Sequence, residues 1–252
     1  MIPKHLHYVW FGTNKFPQVV NQCLDSWKKE LIDFQFHFWN IDNIELDCNF
    51  AKQAFEQEKW AFLSDYVRLK KLYEYGGVYL DTDMLVVKGF EDLLCYDVFF
   101  GKESETLING AIIGAKKESE FIKMLIDYYR TISIDEVEAI PIIITKLLKQ
   151  YDGIETIKIY PVDYFYPFPY SDSYKYKVNP ISYKTKNTYT IHLWYKSWKN
   201  DMFKYTRVKN HIGAFKSLLK HLKKNPFSLN LWSRIPGTTK LSLIQLWNNL
   251  VK

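Results

Sequence analysis

Short apolar segments with strand character alternate with amphipathic segments along most of the chain. The predicted strands cover residues 5–11, 34–39, 78–80, 97–102, 110–115, 156–160 and 188–194. The predicted helices cover residues 18–31, 49–59, 60–75, 118–132 and 138–151. Because strands that alternate with helices form sheets with mostly parallel strands, the sequence predicts an α/β fold. Ligands of such sheets bind at the C-terminal ends of the strands.

Composition excludes several other classes of protein. The chain has 252 residues, of which 47% are hydrophobic and 25% charged, as in a globular domain. Its three cysteines are far apart and predict neither a disulfide framework nor a zinc site. The opening MIPKHLHYVWFG lacks the apolar core of a signal peptide, and the longest uncharged apolar run, 139–145, is too short to span a bilayer. We therefore expect a cytoplasmic or peripheral protein.

Positive charge is concentrated at the C-terminus. Residues 202–252 contain ten Lys or Arg and no acidic residue, so residues 1–201 carry −4 of the net charge of +6. We predict a main domain at 1–200 and a basic helical extension at 201–252. The extension suits an anionic partner, either a membrane surface contacted through 215–252 or a phosphorylated acceptor, although its helices could instead pack on their own domain. Nucleic acid is not expected, because no recognition motif accompanies the charge.

The stretch 73-YEYGGVYLDTDM-84 places two aspartates directly after a short apolar strand. Gly76 and Gly77 are expected to end the preceding helix. In an extended segment, Asp81 and Asp83 would face the same side and converge on one site, while Thr82 would point away. Paired carboxylates suit Mg²⁺ or Mn²⁺. A polar turn without a metal is the alternative interpretation, because a bare DxD pattern is common.

The helix before this strand carries a second group of polar residues. Ser64, Asp65 and Arg68 are spaced three and four residues apart and share one face. A surface ion pair would explain them equally well. A carboxylate beside a guanidinium, however, offers the directional hydrogen bonds that a pocket for a polyol requires.

Three segments carry a family resemblance. IPKHLHYVWFG, SDYVRLKKLYEYGGVYLDTDM and IHLWYKSW resemble the DXD-containing sugar transferases of glycosyltransferase family 32, of the bacterial capsule or lipopolysaccharide type. The resemblance covers roughly residues 2–200. It implies a GT-A type nucleotide-sugar-binding fold, a divalent metal and retention of the anomeric configuration.

The resemblance also implies roles for individual residues in binding the donor. Trp10 is similar to the residue that stacks on the donor base, with Val9 and Gly12 beside it. Ser64, Asp65 and Arg68 are similar to the helix residues that hold the ribose and the sugar hydroxyls. Asn109 occupies the place of an asparagine near the sugar.

A further set is implied at the diphosphate and the metal. The residues on the DXD strand are Tyr79, Asp81 and Asp83. His192 resembles a further metal ligand, while Ser197 and Trp198 resemble a loop that closes over the β-phosphate. Asp65, Arg68, Asp81 and Asp83 are the residues predicted to support catalysis.

We expect a retaining transferase that moves a hexose from a UDP-sugar, in preference to a GDP-sugar, to a saccharide acceptor. That acceptor is expected to be lipid-linked and to serve capsule, O-antigen or exopolysaccharide synthesis, at the inner face of the plasma membrane. Mn²⁺ or Mg²⁺ would stabilise the charge that develops on the leaving phosphate. A sugar-nucleotide binding protein without activity and a metal-dependent nucleotidyl or phosphoryl transferase are the alternatives.

Overall fold

The structure is a computed structural model that describes residues 1–12, 15–173 and 179–195. Its strands are β1 (His5–Val9), β2 (Gln35–Trp39), β3 (Gly77–Leu80), β4 (Met84–Val86), β5 (Val98–Lys102), β6 (Ile108–Ala115), β7 (Ile157–Tyr160) and β8 (Thr190–His192). Its α-helices are α1 (Gln18–Glu30), α2 (Asn49–Glu56), α3 (Trp60–Tyr75), α4 (Glu120–Thr131), α5 (Ile140–Leu148) and α6 (Val162–Phe165). None of these helices is long and apolar enough to cross a membrane.

Six strands form the central sheet in the order β2-β1-β3-β6-β5-β7. The pairs β1–β2, β1–β3 and β5–β7 are parallel, whereas β6 runs antiparallel to both of its neighbours. Five strands therefore point the same way, which confirms the predicted α/β fold with a mostly parallel sheet. We call the end at which β1, β3 and β5 finish, and at which β6 begins, the carboxyl end of the sheet.

A second sheet of two strands was not predicted in full. β4 pairs antiparallel with β8, and the register sets Met84 opposite His192. A three-residue strand is too short to show the alternating pattern from which strands are recognised, so β4 is not predicted from the sequence. Trp27 on α1 donates its indole N–H to the Met84 carbonyl at 2.6 Å, which fixes β4 against that helix.

Two apolar cores cover the two faces of the central sheet. One contains buried residues of α2, α3, α4 and α5, including Leu63, Leu69 and Ile143. The other contains α1 and β4, with Trp27 and Met84 among its buried residues. Helix α3 belongs to the first core, so its position relative to β3 is set by packing before any polar contact is considered.

The junction between α3 and β3 requires its two glycines, as predicted. Gly76 has φ +66° and Gly77 has φ +116°, a range that other residues rarely adopt. A Cβ atom on Gly77 would lie 2.5 Å from the His5 carbonyl oxygen. His7 on the adjacent strand bonds the Gly76 carbonyl through Nε2 at 2.8 Å, so this buried ring secures the turn.

The buried His7 ring predicts a loss of stability in mild acid. Burial lowers the pKa of His7 to about 3, so the folded chain keeps this ring neutral where the unfolded chain binds a proton. The free energy of unfolding should fall as the pH drops below about 6.5, by at most about 1.4 kcal/mol per pH unit from this ring. Urea denaturation of wild type and His7→Gln between pH 7.5 and 5 measures the effect. Gln keeps a donor for Gly76 and does not titrate, so a slope as steep in the variant as in wild type would contradict the assignment.

Candidate functional site

Asp81 and Asp83 lie in a tight turn between β3 and β4. The Met84 N–H donates to the Asp81 carbonyl at 3.0 Å, which closes four residues into a turn. The prediction that this segment is extended is therefore wrong, because β3 ends at Leu80 and the chain reverses towards β4. The predicted convergence is nevertheless correct: Asp81, Asp83 and His192 each offer a ligand atom, and these atoms lie within 4.8 Å of one another.

Asp83 is bonded on both of its carboxylate oxygens. His192 Nε2 lies 3.2 Å from Oδ1, and the Tyr195 backbone N–H donates to Oδ2 at 2.7 Å. Burial alone would raise the pKa of Asp83, but His192 and the Tyr195 N–H lower it below its usual value. Burial opposes the protonation of His192, and the carboxylates of Asp83, Asp81 and Glu103 outweigh it, so its pKa is raised. The turn therefore holds an ionised Asp83 at neutral pH.

This arrangement fits a divalent cation. Neighbouring ligands of an octahedral ion with bonds of about 2.1 Å are roughly 3 Å apart. The His192–Asp83 separation of 3.2 Å matches that spacing. His192 Nδ1 is buried and has no hydrogen-bond partner among the residues that the structure describes. Since buried polar atoms normally have partners, the contact with Asp83 leaves His192 incompletely satisfied, and Nε2, the nitrogen that faces Asp83, is the atom spaced for a metal.

Arg68 connects α3 to the aspartate turn. Its Nη2 lies 3.0 Å from Asp65 Oδ1 and 3.2 Å from Asp81 Oδ1. Its Nη1 donates to the Gly110 carbonyl on β6 at 2.8 Å. The side chains of Arg68 and Asp65 are only 7% and 9% exposed, so the interpretation as a surface ion pair is wrong. The group is instead a buried connection between a helix and two strands.

The buried group around Arg68 contains more carboxylates than cations. Burial raises the pKa of Asp65 to about 7, and Arg68 opposes that rise. Burial acts against the charge on Arg68, but Asp81, Tyr79 and Asp65 raise its pKa above the ordinary value. One guanidinium is thus shared by two carboxylates, a charge pattern that favours additional cationic or hydrogen-bonding ligands.

Tyr79 and Ser64 complete the surroundings of Asp81. The Tyr79 hydroxyl donates to Asp81 Oδ1 at 2.7 Å and lies 3.4 Å from Ser64 Oγ. The Arg68 guanidinium lies over the Tyr79 ring, with its Cζ atom 4.4 Å from the ring centroid. These contacts use Oδ1, and no described residue hydrogen-bonds Asp81 Oδ2. That oxygen is available to a metal.

The residues predicted to meet the donor base lie at the end of β1. Trp10 is half-buried and meets Phe16 edge-on, with the ring centroids 5.5 Å apart. Gly12 approaches the Trp10 indole so closely that a Cβ atom on it would lie 2.7 Å from the ring. The Val9 side chain is buried in the core, so only its backbone is placed to meet a ligand. Because β1 is parallel to β3, Trp10 lies at the carboxyl end of the sheet, as Asp81 does.

Asn109 lies at the start of β6 and has a partner that sequence analysis missed. Its Oδ1 accepts from the Ala111 N–H at 2.7 Å, and its Nδ2 donates to Glu103 Oε2 at 2.5 Å. Gly110, the next residue, accepts from Arg68. Glu103 belongs to no motif, and only the pairing of β5 with β6 could have placed it beside Asn109.

The structure thus joins Ser64, Asp65, Arg68, Tyr79 and Asp81 in one bonded group, with Asp83 and His192 beside it and Asn109 connected through β6. Ser197 and Trp198 lie outside the described residues, as does the basic extension with its boundary at residue 200. They stay predictions.

Comparison with known proteins bears on the family resemblance and on the fold. The family described as "Glycosyltransferase sugar-binding region containing DXD motif" matches residues 17–100, which confirms the resemblance found in the sequence. Lactosylceramide 4-alpha-galactosyltransferase of Homo sapiens is 27% identical over 161 residues, covering 57% of this chain and 44% of that protein. "Uncharacterized glycosyltransferase L373" of Acanthamoeba polyphaga mimivirus is 32% identical over 110 residues, covering 40% of this chain and 43% of that protein. The chain thus spans less than half the length of these relatives.

A solved structure supports the fold. The "PaToxG Glycosyltransferase" superposes with a TM-score of 0.50 at 21% identity, covering 59% of this chain and 68% of that chain. This likeness bears on the fold alone, and it confirms the predicted GT-A type architecture.

The shared guanidinium predicts strong coupling between Arg68 and Asp65. Arg68→Met removes the counter-charge and hydrogen-bond donor of Asp65, so the buried carboxyl must take up a proton, and the free energy of unfolding should fall by about 3 kcal/mol. Asp65→Asn in the same chain should recover roughly 1 kcal/mol or more, because a neutral amide then replaces the carboxyl that has lost its counter-charge. Urea denaturation of both single variants and the double variant measures the coupling.

Arg130→Met on α4 is the matched control for Arg68→Met. Arg130 is 47% exposed and pairs with Asp47, so its loss should cost about 1 kcal/mol or less. Strictly additive losses in the Arg68 and Asp65 variants would show that the two residues do not act as a buried pair.

Proposed function

We propose that this chain, which carries the DXD-containing glycosyltransferase sugar-binding region at residues 17–100, is a metal-dependent retaining hexosyltransferase. It moves a hexose from a UDP-sugar, in preference to a GDP-sugar, to a saccharide acceptor. The observation that carries the proposal is the convergence of Asp81, Asp83 and His192 beside the buried Arg68 group. Carboxylates and an imidazole at the carboxyl end of the sheet suit a cation, and the adjoining polar group suits a polyol.

Asp81, Asp83 and His192 would hold the metal. A set that mixes carboxylates with an imidazole favours Mn²⁺ over Mg²⁺, which prefers oxygen ligands alone. When bound, the metal supplies stabilisation of the negative charge on the departing diphosphate. The chain's own contacts support metal binding, because Asp83 is kept ionised and because Tyr79 and Arg68 hold Asp81 by its Oδ1 atom.

Arg68 acts in this proposal chiefly as a positioning residue. Its nitrogen atoms already contact Ser64, Asp65, Asp81 and Gly110, which uses most of its hydrogen-bond donors. Asp65 and Ser64 are then the helix residues that meet donor hydroxyls. Trp10 stacks on the base at the neighbouring strand end, and Ser197 and Trp198 donate hydrogen bonds to the β-phosphate.

The family resemblance favours a retaining step without a nucleophile from the protein. The proposed step is therefore front-face attack by an acceptor hydroxyl, with the departing phosphate taking its proton. The name of the human relative specifies alpha-galactosyl transfer to lactosylceramide, which supports retention from an α-linked donor and a saccharide carried on a lipid. UDP-galactose is accordingly the first donor to test.

A lipid-linked acceptor gives the basic C-terminal extension a role in the proposal. Ten cationic residues without an acidic one would bind an anionic leaflet, at about 1 kcal/mol for each residue near the surface. This would bring the enzyme to the cytoplasmic face of a membrane, where saccharides for capsule, O-antigen or exopolysaccharide are assembled. Sedimentation with vesicles that does not depend on anionic lipid or on salt would contradict this role.

Loss of one metal ligand should abolish turnover. Asp83→Asn removes the ionised ligand and should lower the rate of UDP release from UDP-galactose by at least about 100-fold, while far-UV circular dichroism shows the fold intact. Transfer is measured with Mn²⁺ and a lactose-terminated acceptor, with the anomeric configuration of the product read by NMR.

Asp25→Asn on α1 is the matched control, because the Asp25 side chain is exposed and its ion pair is with Lys28 on the same helix. Full activity of Asp83→Asn, or of wild type in excess chelator, would overturn the metal-dependent mechanism. Release of pyrophosphate instead of UDP would identify a nucleotidyl transferase.

A further inference from the structure

Glu103 lies in the candidate site, beside Asn109, and the function proposed above gives it no role. It directly follows β5, and its backbone N–H donates to the Leu107 carbonyl at 3.0 Å, which closes the loop to β6. The order β3-β6-β5 puts Glu103 two strands away from Asp81 at the carboxyl end of the sheet. At a spacing of about 4.8 Å per strand, this places the Glu103 and Asp81 backbones roughly 10 Å apart.

The Glu103–Asn109 contact leaves a defined hydrogen-bonding capacity. Asn109 has two amide protons, of which one is donated to Glu103, and its oxygen accepts from Ala111. One N–H donor therefore remains on Asn109. Glu103 uses Oε2, and no described residue bonds its Oε1. A donor and an acceptor thus lie next to each other on two paired strands.

Charge distinguishes Glu103 from the other carboxylates of the site. Asp65 and Asp81 are paired with Arg68, and Asp83 is paired with His192. No cationic side chain among the described residues lies within ion-pair distance of Glu103. Its half-buried carboxylate repels phosphate, and its free oxygen suits a neutral group that donates a hydrogen bond. A sugar hydroxyl does this, and it can also accept from the remaining Asn109 N–H.

We propose that Glu103 and Asn109 form a hydroxyl-binding subsite for the transferred hexose, in which Glu103 determines specificity for the sugar. The metal ligands hold the diphosphate at one end of the site, and Glu103 marks the other end, where the sugar hydroxyls lie. The proposal rests on the function proposed above and extends it to a residue outside the family motifs.

Glu103→Gln tests the subsite by separating the sugar from its carrier. Calorimetric titration with Mn²⁺ present should give an affinity for UDP-galactose at least about 10-fold weaker than that of wild type, since a neutral amide replaces the charged acceptor of the sugar hydroxyl. The affinity for UDP alone should be unchanged. The hydroxyl that Glu103 binds can be identified with a panel of UDP-deoxygalactose analogues. One analogue should bind wild type more weakly than UDP-galactose does. The same analogue and UDP-galactose should bind Glu103→Gln with equal affinity.

Glu105→Gln is the matched control, because Glu105 lies in the same loop and is exposed. Melting temperatures of the three proteins are compared, and Glu103→Asp provides a second variant that keeps the charge. Equal losses for UDP and UDP-galactose would overturn the proposal, as would no loss or a loss confined to the KM for the acceptor. If wild type binds UDP but none of the UDP- or GDP-hexoses more tightly, the proposed function fails as well.

Discussion

The ion pairs of Arg68 are the interaction on which the site depends. One buried guanidinium joins α3 to the end of β3 through Asp81 and to β6 through the Gly110 carbonyl. A charge is retained in such a place only when its partners satisfy it, and Asp65 and Asp81 do so together. Since α3 is already fixed by the apolar core, Arg68 transfers that rigidity to the first aspartate of the turn.

The second half of the site comes from distant parts of the chain. The turn at Asp81–Met84 directs the chain into β4, and β4 pairs with β8, which brings His192 to Asp83. The polar side chains are arranged by charge along the carboxyl end of the sheet. Groups that suit a cation and a diphosphate lie at β3 and β8, and an unpaired carboxylate lies at β5. In the proposed function, such a gradient would orient a nucleotide sugar before any chemistry takes place.

Local features were predictable from sequence, and features that depend on long-range pairing were not. Helix α3, its glycine end and the strand before Asp81 follow from periodicity and from the conformational range of glycine, and the structure confirms them. The prediction that Asp81–Asp83 is extended was wrong. A turn closed by the Met84 N–H brings the two carboxylates together as well as a strand would, so the spacing of the aspartates does not distinguish the two geometries. Glu103 was not predicted, because its position beside Asn109 depends on the pairing of β5 with β6, which no local pattern specifies.

We propose that the DXD turn and β8 form one metal centre for a nucleotide. An anomalous difference map from crystals of the full chain grown with Mn²⁺ and UDP tests this directly. We expect a single Mn²⁺ peak within about 2.3 Å of carboxylate oxygens of Asp81 or Asp83 and of a His192 nitrogen, with UDP phosphates as further ligands. A Mn²⁺ ion bound elsewhere, or UDP bound away from this turn, would contradict it.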